Sequence, residues 1–483
     1  MSETTKQITL KGLFWNAIDR FGYQLVITVV TIITSRILSP EDFGIIGVLV
    51  IFSTIATAFV DSGLATSLVR SPEVEEKDYS TMFTFNLSMS LALYLVLFLV
   101  SPFLEAYNDI DGLALYARVL FLQLLVHSFG IVQYVKLLRS FSFKITARIN
   151  VQSIFFSGLI SIVLAVGGFG VWALLLQPVL YSLFRTVMLW LWSDWKLDFS
   201  FSREALRRHL KFSLSFMVGS ILGKIFPEMY YSFIGKHFST AHTGFYYQGN
   251  KWGQTPNTLI SSIVQGTTLS TLAPIQNDYP RFLNACRKSM QTLAFTLFPV
   301  SFCAVAIAKP AFIFFLTDTW MPSIPYFQLL CLGAIFASLT DMNVNFLNIK
   351  GKSMYTLRLE IAKVAIALVV LWVTYKSGIM SIIYGQLGIR LFFFGVSAFF
   401  SGKIYGYTFF KQLVDMLPSL CISFIAFIGA YAFLFFGENL HHFVLLLLQS
   451  IIFACIYVLG NHLTQNAIWV ELLQMAKAKL TKR

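Results

Sequence analysis

The sequence predicts an all-α protein that crosses a membrane many times, with about 14 helices of roughly 20 residues each. Of its 483 residues, 57% are hydrophobic and only 12% are charged, about half the charged share of an ordinary soluble protein. Its mean hydropathy is +0.71. Fourteen spans would take roughly 280 residues. This leaves short connections and excludes a sizeable extramembrane domain.

Each predicted span is an apolar run bounded by Pro, Gly or charged clusters. The predicted spans cover residues 13–34, 43–62, 80–101, 114–135, 149–167, 170–192, 213–234, 250–272, 288–308, 324–347, 357–376, 379–400, 413–436 and 443–462. Lys11, Asp19 and Arg20 interrupt the first run, and no small-residue cleavage site follows it. We therefore expect no cleavable signal.

The distribution of basic residues predicts which side of the membrane each connection faces. With the N-terminus in the cytoplasm, 25 of the 36 Lys and Arg residues lie on the cytoplasmic side. Four lie on the opposite side and the remaining seven fall inside spans. Because retained Lys and Arg mark cytoplasmic connections, the formal net charge of +13 is better explained by orientation than by nucleic-acid binding, and both termini are predicted to be cytoplasmic.

An internal repeat relates the two halves of the chain at an offset of 200 residues. Arg36, Ser39 and Gly44 recur as Lys236, Ser239 and Gly244 in the same pattern. Duplicated bundles are common in membrane carriers. The sequence therefore predicts two pseudo-symmetric six-helix lobes, followed by two appended helices and a basic cytoplasmic tail. Their predicted bounds are 1–210, 211–402 and 403–483.

Ionisable residues inside the spans indicate a polar interior. We select eleven of these residues, seven basic and four acidic, and they would cost on the order of 30 kcal/mol if all faced lipid at mid-depth. Those near span ends are expected to reach the interface: Asp61, Arg118, Lys251 and Lys363. The basic excess among the eleven favours an anionic substrate.

Helices one and seven carry matching polar stripes. In helix one, polar residues recur every three or four positions. They are Asn16, Arg20, Gln24, Thr28, Thr31 and Ser35. The offset places positions 20, 24, 28 and 31 on Ser220, Lys224, Glu228 and Tyr231. These faces are predicted to line a water-filled cavity, although Lys224 and Glu228, four residues apart, could equally form a buried neutral pair. Pro227 is predicted to bend helix seven.

Candidate site residues follow from these stripes and from the span charges. The candidate substrate-binding residues are Arg20, Gln24, Arg185, Lys224 and Arg390. The candidate coupling carboxylates are Asp19, Glu228 and Asp341. No catalytic group, cofactor or metal site is predicted. The five cysteines have no paired spacing, and the adjacent His441 and His442 lack a third ligand.

Several motifs resemble one family of bacterial membrane proteins. The stretch from Ser35 to Gly47, with Asp61–Leu64 and Glu76–Thr81, is similar to the opening of Wzx-like polysaccharide exporters of the colanic-acid and teichuronic-acid type. Second-half signatures are found at residues 234–238, 244–246 and 320–323. The similarity covers nearly the whole chain. One departure is Gln248, where the family usually carries an arginine, although Lys251 keeps a charge nearby.

The resemblance implies membership of the multidrug/oligosaccharidyl-lipid/polysaccharide exporter superfamily. It implies a flippase in the bacterial inner membrane that moves an undecaprenyl-diphosphate-linked oligosaccharide by alternating access, driven by H⁺ or Na⁺ exchange. Membrane lipids, a polysaccharide polymerase and a chain-length regulator are implied partners, and nucleic acid is not.

Two other functions fit the sequence less well. A cation-coupled drug exporter of the same superfamily would need an acidic cavity for organic cations, and this chain has a basic excess. A membrane polymerase, ligase or glycosyltransferase would need a long external loop. Glu41 and Asp42, which could serve such an enzyme, are better explained as helix-capping residues.

Overall fold

A computed structural model describes residues 3–61, 64–71, 73–195, 197–437 and 440–480. Within these residues the chain is helical, with no strand, and it divides into two compact units, 1–244 and 245–483. Ser62 and Gly63 of the family-like motif lie outside the described residues. The fold is that of a polytopic helical membrane protein.

The first unit contains eight helices and the start of a ninth. They are α1 (Glu3–Ile37), α2 (Pro40–Asp61), α3 (Leu64–Arg70), α4 (Glu76–Asn108), α5 (Leu113–Arg139), α6 (Phe143–Val166), α7 (Val171–Trp192), α8 (Arg203–His237) and α9 (Thr240–Leu272). Helix α9 runs into the second unit. Short connections of two to ten residues join most of these helices, as expected for antiparallel neighbours.

The second unit continues with eight more helices. They are α10 (Tyr279–Ala306), α11 (Ala308–Phe315), α12 (Ser323–Ile349), α13 (Ser353–Thr374), α14 (Ile379–Tyr405), α15 (Phe409–Phe436), α16 (His442–Leu463) and α17 (Ala467–Leu480). Single 3₁₀ turns lie at Ala273–Ile275, Asp318–Trp320 and Tyr375–Ser377. Helix α17 occupies the basic C-terminal segment, and its outward-facing Leu472 and Met475 are about half exposed.

Each of the fourteen predicted spans overlaps a helix of 22 residues or more. Eleven helical segments among the described residues are long and apolar enough to cross a membrane. Helix α9 is rich in polar residues, and α13 carries Arg358, Glu360 and Lys363 within its 22 residues. The chain is thus a multi-span membrane protein, and the number of fourteen spans stays a prediction.

Packing in the first unit follows a continuous path. Helix α1 packs against α6, α6 against α7, α7 against α5, and α5 against α4. Helix α2 packs against α8 and also contacts α4, α5 and α7. A core of buried apolar residues, including Val48, Phe83 and Phe121, joins α2, α4 and α5. Because α8 also packs on α3 and α4, the helix predicted to open the second lobe is held by this unit. The predicted lobe bounds stay predictions.

In the second unit a buried polar network joins α15 to α12. The side-chain amides of Asn343 and Gln412 donate to each other, each at 3.0 Å, and the Ser401 hydroxyl donates to Asn343 at 2.9 Å. Asn343, Ser401 and Gln412 are fully buried. Since a buried amide without partners is costly, this reciprocal pairing fixes α15 on the rest of its unit.

Candidate functional site

A chain of polar contacts crosses five helices of the first unit at membrane depth. It begins at Asp19 on α1, whose two carboxylate oxygens accept hydrogen bonds from the Asn150 amide of α6 at 3.2 and 3.0 Å. The Asn150 carbonyl oxygen accepts from Nε of Arg185 on α7 at 3.0 Å. One neutral amide thus bridges a carboxylate and a guanidinium.

The chain continues from Arg185 to helices α5 and α2. Nη1 of Arg185 lies 3.4 Å from Nδ1 of His127, and Nε2 of His127 lies 2.8 Å from the Asp61 carboxylate. The Arg185 guanidinium also lies over the Tyr134 ring, 4.6 Å from its centroid. With only 8% of Arg185 exposed, its charge is held by protein groups. Arg185 is therefore already engaged and not open to a ligand.

Helix lengths give the depth of this chain. At 1.5 Å per residue, Asn150 and Arg185 each lie about 10 Å along their helices from the ends predicted to be cytoplasmic, and His127 lies about 18 Å from its end. The side chains at the far end of the chain reach the protein surface, with Asp61 51% exposed and His127 20% exposed. The network therefore lies within the span, in the half predicted to be cytoplasmic, and opens at Asp61.

The polar stripe of α1 changes in exposure along the helix. Asn16 and Arg20 are exposed, Gln24 is half-buried and donates to the Thr28 hydroxyl at 3.3 Å, and Ser35 is buried. Because burial increases towards the end predicted to lie outside the cytoplasm, only the first half of the stripe is open to a ligand. Arg20 is in that open half and Gln24 lies at its edge.

The matching stripe of α8 also lies in the first unit. Lys224 and Glu228 are half-buried, while Tyr231 is buried. The Lys224 ammonium interacts electrostatically with Glu228 and with Asp61. Among the described residues, no ion pair joins Lys224 to Glu228, so these two side chains do not form a close salt bridge. The side chain of Ser220 lies outside the described part of the chain, and α8 runs as one helix through Pro227.

A second polar group forms inside the second unit. Asp341 on α12 is exposed and interacts electrostatically with Lys363, Glu360 and Arg390. Nζ of Lys363 lies 2.6 Å from the Glu360 carboxylate. Arg390, on α14, is only 6% exposed; its Nη1 points to the Leu330 carbonyl oxygen at 3.5 Å, and its stem packs on Gly333. Arg390 is thus brought near Asp341, and its guanidinium is largely enclosed by protein.

Gln248, which departs from the family pattern, lies in the protein interior. Gln248 on α9 is fully buried and accepts a hydrogen bond from the Trp252 indole at 2.9 Å. Lys251 lies half-buried beside the Tyr247 ring, 5.8 Å from its centroid. The basic charge near this position is therefore supplied from one turn further along the helix.

Sequence reasoning missed three members of these groups. His127, Asn150 and Glu360 were not selected, and Asp61 and Lys363 were expected simply to reach the interface. In the structure Asp61 contacts His127 of a neighbouring helix, and Lys363 pairs with Glu360 one turn earlier on its own helix. A lone polar residue in an apolar run, such as His127, is the signal that could have found them.

Comparisons with known proteins agree with this architecture. Residues 33–325, more than half of the chain, match the family described as polysaccharide biosynthesis protein. The chain is 27% identical over 323 residues to the succinoglycan biosynthesis transport protein ExoT of Rhizobium meliloti. That match covers 67% of this chain and 65% of the relative, slightly less than two thirds of its length.

Two further matches cover the chain more widely. The teichuronic acid biosynthesis protein TuaB of Bacillus subtilis is 19% identical over 359 residues, which is 73% of each chain. The solved structure of the lipid II flippase MurJ, in an inward closed conformation, superposes with a TM-score of 0.71 at 14% identity. It covers 94% of this chain and 99% of MurJ. At that identity the likeness shows the fold alone.

These matches confirm the resemblance that the motifs indicated. The chain belongs to the polysaccharide biosynthesis protein family, with the fold of the multidrug/oligosaccharidyl-lipid/polysaccharide exporter superfamily.

Proposed function

We propose that this protein is a flippase that moves an oligosaccharide linked to undecaprenyl diphosphate across the bacterial inner membrane, from the cytoplasmic to the outer leaflet. Its relatives include a protein named for succinoglycan transport and one named for teichuronic acid biosynthesis, and its fold matches a lipid II flippase. Sugars and a diphosphate cannot cross hydrocarbon without a polar path. The proposed mechanism is alternating access.

The observation that carries the proposal is a pair of solvent-accessible cations on the two repeat-related helices. Arg20 on α1 is exposed and Lys224 on α8 is half-buried. A basic side chain facing lipid at mid-depth would cost about 3 kcal/mol. Cations at this depth are best explained by an aqueous path for an anionic group such as a diphosphate.

The structure supports different roles for the other candidates. Arg390 is a third proposed substrate contact, since it is a cation within a predicted span and interacts electrostatically with Asp341. Arg185 is held by Asn150, His127 and Tyr134 and would contact substrate only after release. Gln24 is a proposed sugar contact because its amide is half-buried at the edge of the open stripe.

Cation coupling is the second part of the proposal. Glu228 is our proposed coupling carboxylate for H⁺ or Na⁺, because it lies within the span and the described residues give it no close ion pair. Asp19 and Asp341 are secondary candidates, since Asn150 already binds the Asp19 carboxylate. A polymerase and a chain-length regulator stay predicted partners, and both termini are proposed to be cytoplasmic.

Export of surface polysaccharide tests the proposal. Replacing Arg20, Lys224 and Arg390 together with alanine should abolish export at normal protein level, because the diphosphate loses its cationic contacts. The matched control is Arg118→Ala, which removes a span cation that instead binds Ser101 and lies over the Phe98 ring. Unimpaired polysaccharide in the triple variant would refute the assignment.

A variant of Glu228 separates transport from ion coupling. In vesicles with an imposed ion gradient, Glu228→Gln should lose gradient-driven transport of lipid-linked glycan while retaining glycan binding. Gradient-driven transport equal to that of the unmodified protein would show that Glu228 carries no coupling ion.

A further inference from the structure

His127 lies between two groups of opposite charge, and the proposed function gives it no role. It is the histidine of the five-helix chain, and an imidazole can carry either one hydrogen or two. Its Nδ1 faces the Arg185 guanidinium at 3.4 Å, and its Nε2 faces the Asp61 carboxylate at 2.8 Å. The imidazole therefore has a different kind of partner at each nitrogen.

These partners determine where the imidazole carries its hydrogen. A guanidinium has donors only, so the nitrogen that binds it must offer a lone pair. An ionised carboxylate accepts only, so the nitrogen that binds it must carry a hydrogen. The geometry thus describes neutral His127 with its hydrogen on Nε2, donating to Asp61 and accepting from Arg185.

A proton added to this imidazole has one place to bind. It takes the lone pair of Nδ1, which leaves two donors and two positive charges facing each other across the His127–Arg185 contact. The contact with Asp61 remains and becomes an ion pair. Protonation therefore breaks the imidazole's link to α7 and strengthens its link to α2.

Charged groups of both signs lie around His127 on α1, α2, α7 and α8, and Arg20 of α1 acts on the Asp19 carboxylate. Asp61 faces His127 from α2, with Lys224 of α8 acting on that carboxylate. Arg185 faces it from α7, and Asp19 of α1 is reached through the neutral Asn150 of α6.

Helix α4, which also packs along α5, brings a neutral group close to His127. Helix α4 brings the neutral Ser90 hydroxyl to Ser128, the residue after His127. On α5 itself, the Tyr134 ring lies under the guanidinium. Protons can reach the pair from solvent, since Asp61 is 51% exposed and His127 is 20% exposed.

We propose that His127 is a proton-operated catch for Arg185. Neutral His127 holds the Nη1 end of the guanidinium, and protonated His127 frees that end to bind an anionic group of the substrate, such as the diphosphate, while Asn150 still holds Nε. His127 is thus a positioning residue that acts through Arg185. This inference rests on the proposed function for its ligand, but the catch itself is a property of the chain alone.

Linkage gives the expected size of the effect. If the anion binds better when Arg185 is free, anion binding must favour proton uptake by His127, and proton uptake must favour anion binding equally. One linked proton changes affinity by up to about tenfold per pH unit. The affinity for a diphosphate should therefore rise as pH falls.

Calorimetry of the purified full chain with undecaprenyl diphosphate in detergent tests the linkage. Titrations at pH 7 in two buffers of different ionisation enthalpy count the protons taken up on binding. The unmodified protein should take up more protons than His127→Gln, and the difference is the share that belongs to His127. The control His242→Gln, a histidine bound to Ser239 in the same unit, should match the unmodified protein. Equal uptake with and without His127 would overturn the linkage.

Structures of the full chain in lipid nanodiscs at pH 8 and pH 5 test the catch without substrate. Arg185 should separate from residue 127 at pH 5 in the unmodified protein and stay in place in His127→Gln. An Arg185–His127 contact retained at pH 5 refutes the catch. Absence of undecaprenyl diphosphate binding in every variant would count against the proposed function instead, because the structures decide the catch independently.

Discussion

The 200-residue offset relates two helix starts, at residues 36–44 and 236–244. Their backbones are arranged alike, but their capping side chains make different contacts. In both, a serine caps the next helix: Asp42 N–H donates to the Ser39 hydroxyl at 3.3 Å, and His242 N–H donates to the Ser239 hydroxyl at 3.2 Å. In the first segment the Asp42 carboxylate also accepts from the Ser39 backbone at 3.0 Å, which completes a capping box. In the second, the His242 ring contacts the Ser239 hydroxyl at 2.7 Å.

Two glycines allow the starts of α2 and α9 to approach each other closely. A Cβ added at Gly44 would overlap the Thr240 carbonyl, and one added at Gly244 would overlap the Pro40 carbonyl. Pro40 and Thr240 are themselves 200 residues apart, so each helix start presses on the equivalent point of the other. The close backbone approach leaves room only for glycine at positions 44 and 244, whereas the capping side chains at positions 42 and 242 differ.

The largest expected effect comes from breaking the backbone contact. Gly44→Ala and Gly244→Ala should each lower the free energy of unfolding by about 1–3 kcal/mol, because the helix starts must separate to admit a methyl group. Thermal unfolding of the purified protein measures this. Because the contact is reciprocal, the two substitutions should cost similar amounts.

Gly223→Ala is the matched control for both substitutions. A Cβ at Gly223 of α8 meets no atom within 4 Å, so alanine should be neutral or should stabilise the helix by about 0.5–1 kcal/mol. If Gly44→Ala and Gly244→Ala unfold like Gly223→Ala, the helix starts do not touch in solution.

A buried histidine anchors the start of α8, the helix that leads into the second of these segments. His209 Nδ1 lies 2.8 Å from the Ser67 hydroxyl, and its Nε2 lies 3.7 Å from the Asp78 carboxylate. Burial lowers the pKa of His209 below the usual value of 6.5, and the Asp78 carboxylate opposes this only in part. The imidazole therefore folds in its neutral form.

This pKa direction fixes the sign of a pH effect. The unfolded chain binds the proton more tightly than the folded chain, so His209 contributes full stability above about pH 6.5, which is lost as pH falls through the folded pKa. Unfolding temperatures measured from pH 8 to pH 5 should show this loss, and His209→Gln should reduce it. The exposed His462 provides the control: a slope reduced equally by His462→Gln would contradict the assignment to His209.

The parts of the structure that the sequence predicts well are those set locally. Hydropathy located each long helix, since a span needs a minimum apolar length, although several helices extend up to ten residues beyond the predicted span. The repeat motif predicted equivalent positions at Ser39 and Ser239, and both are helix caps in the structure, because capping depends on residues within one turn.

The parts that sequence could not predict depend on how helices are rotated against each other. The contacts between Asp61, His127 and Arg185 join three helices far apart in sequence. Hydropathy shows where such helices begin and end, but not which of their faces meet. Lys363 is a different case, because its partner Glu360 lies one turn earlier on the same helix and the spacing could have shown the pair.

The smallest expected effect separates the two caps. Asp42→Ala should cost about 1 kcal/mol, because it removes the second hydrogen bond of the capping box and a negative charge near a helix N-terminus. His242→Ala should cost only a few tenths, since the Ser239 hydroxyl still accepts from the backbone of residue 242. Denaturant unfolding measures both. The exchanges sharpen the test: Asp42→His should destabilise and His242→Asp should stabilise, because the helix dipole favours an acid at either start. Equal costs for both alanine variants would mean that the caps are equivalent and that only the glycine contact distinguishes these segments from ordinary helix starts.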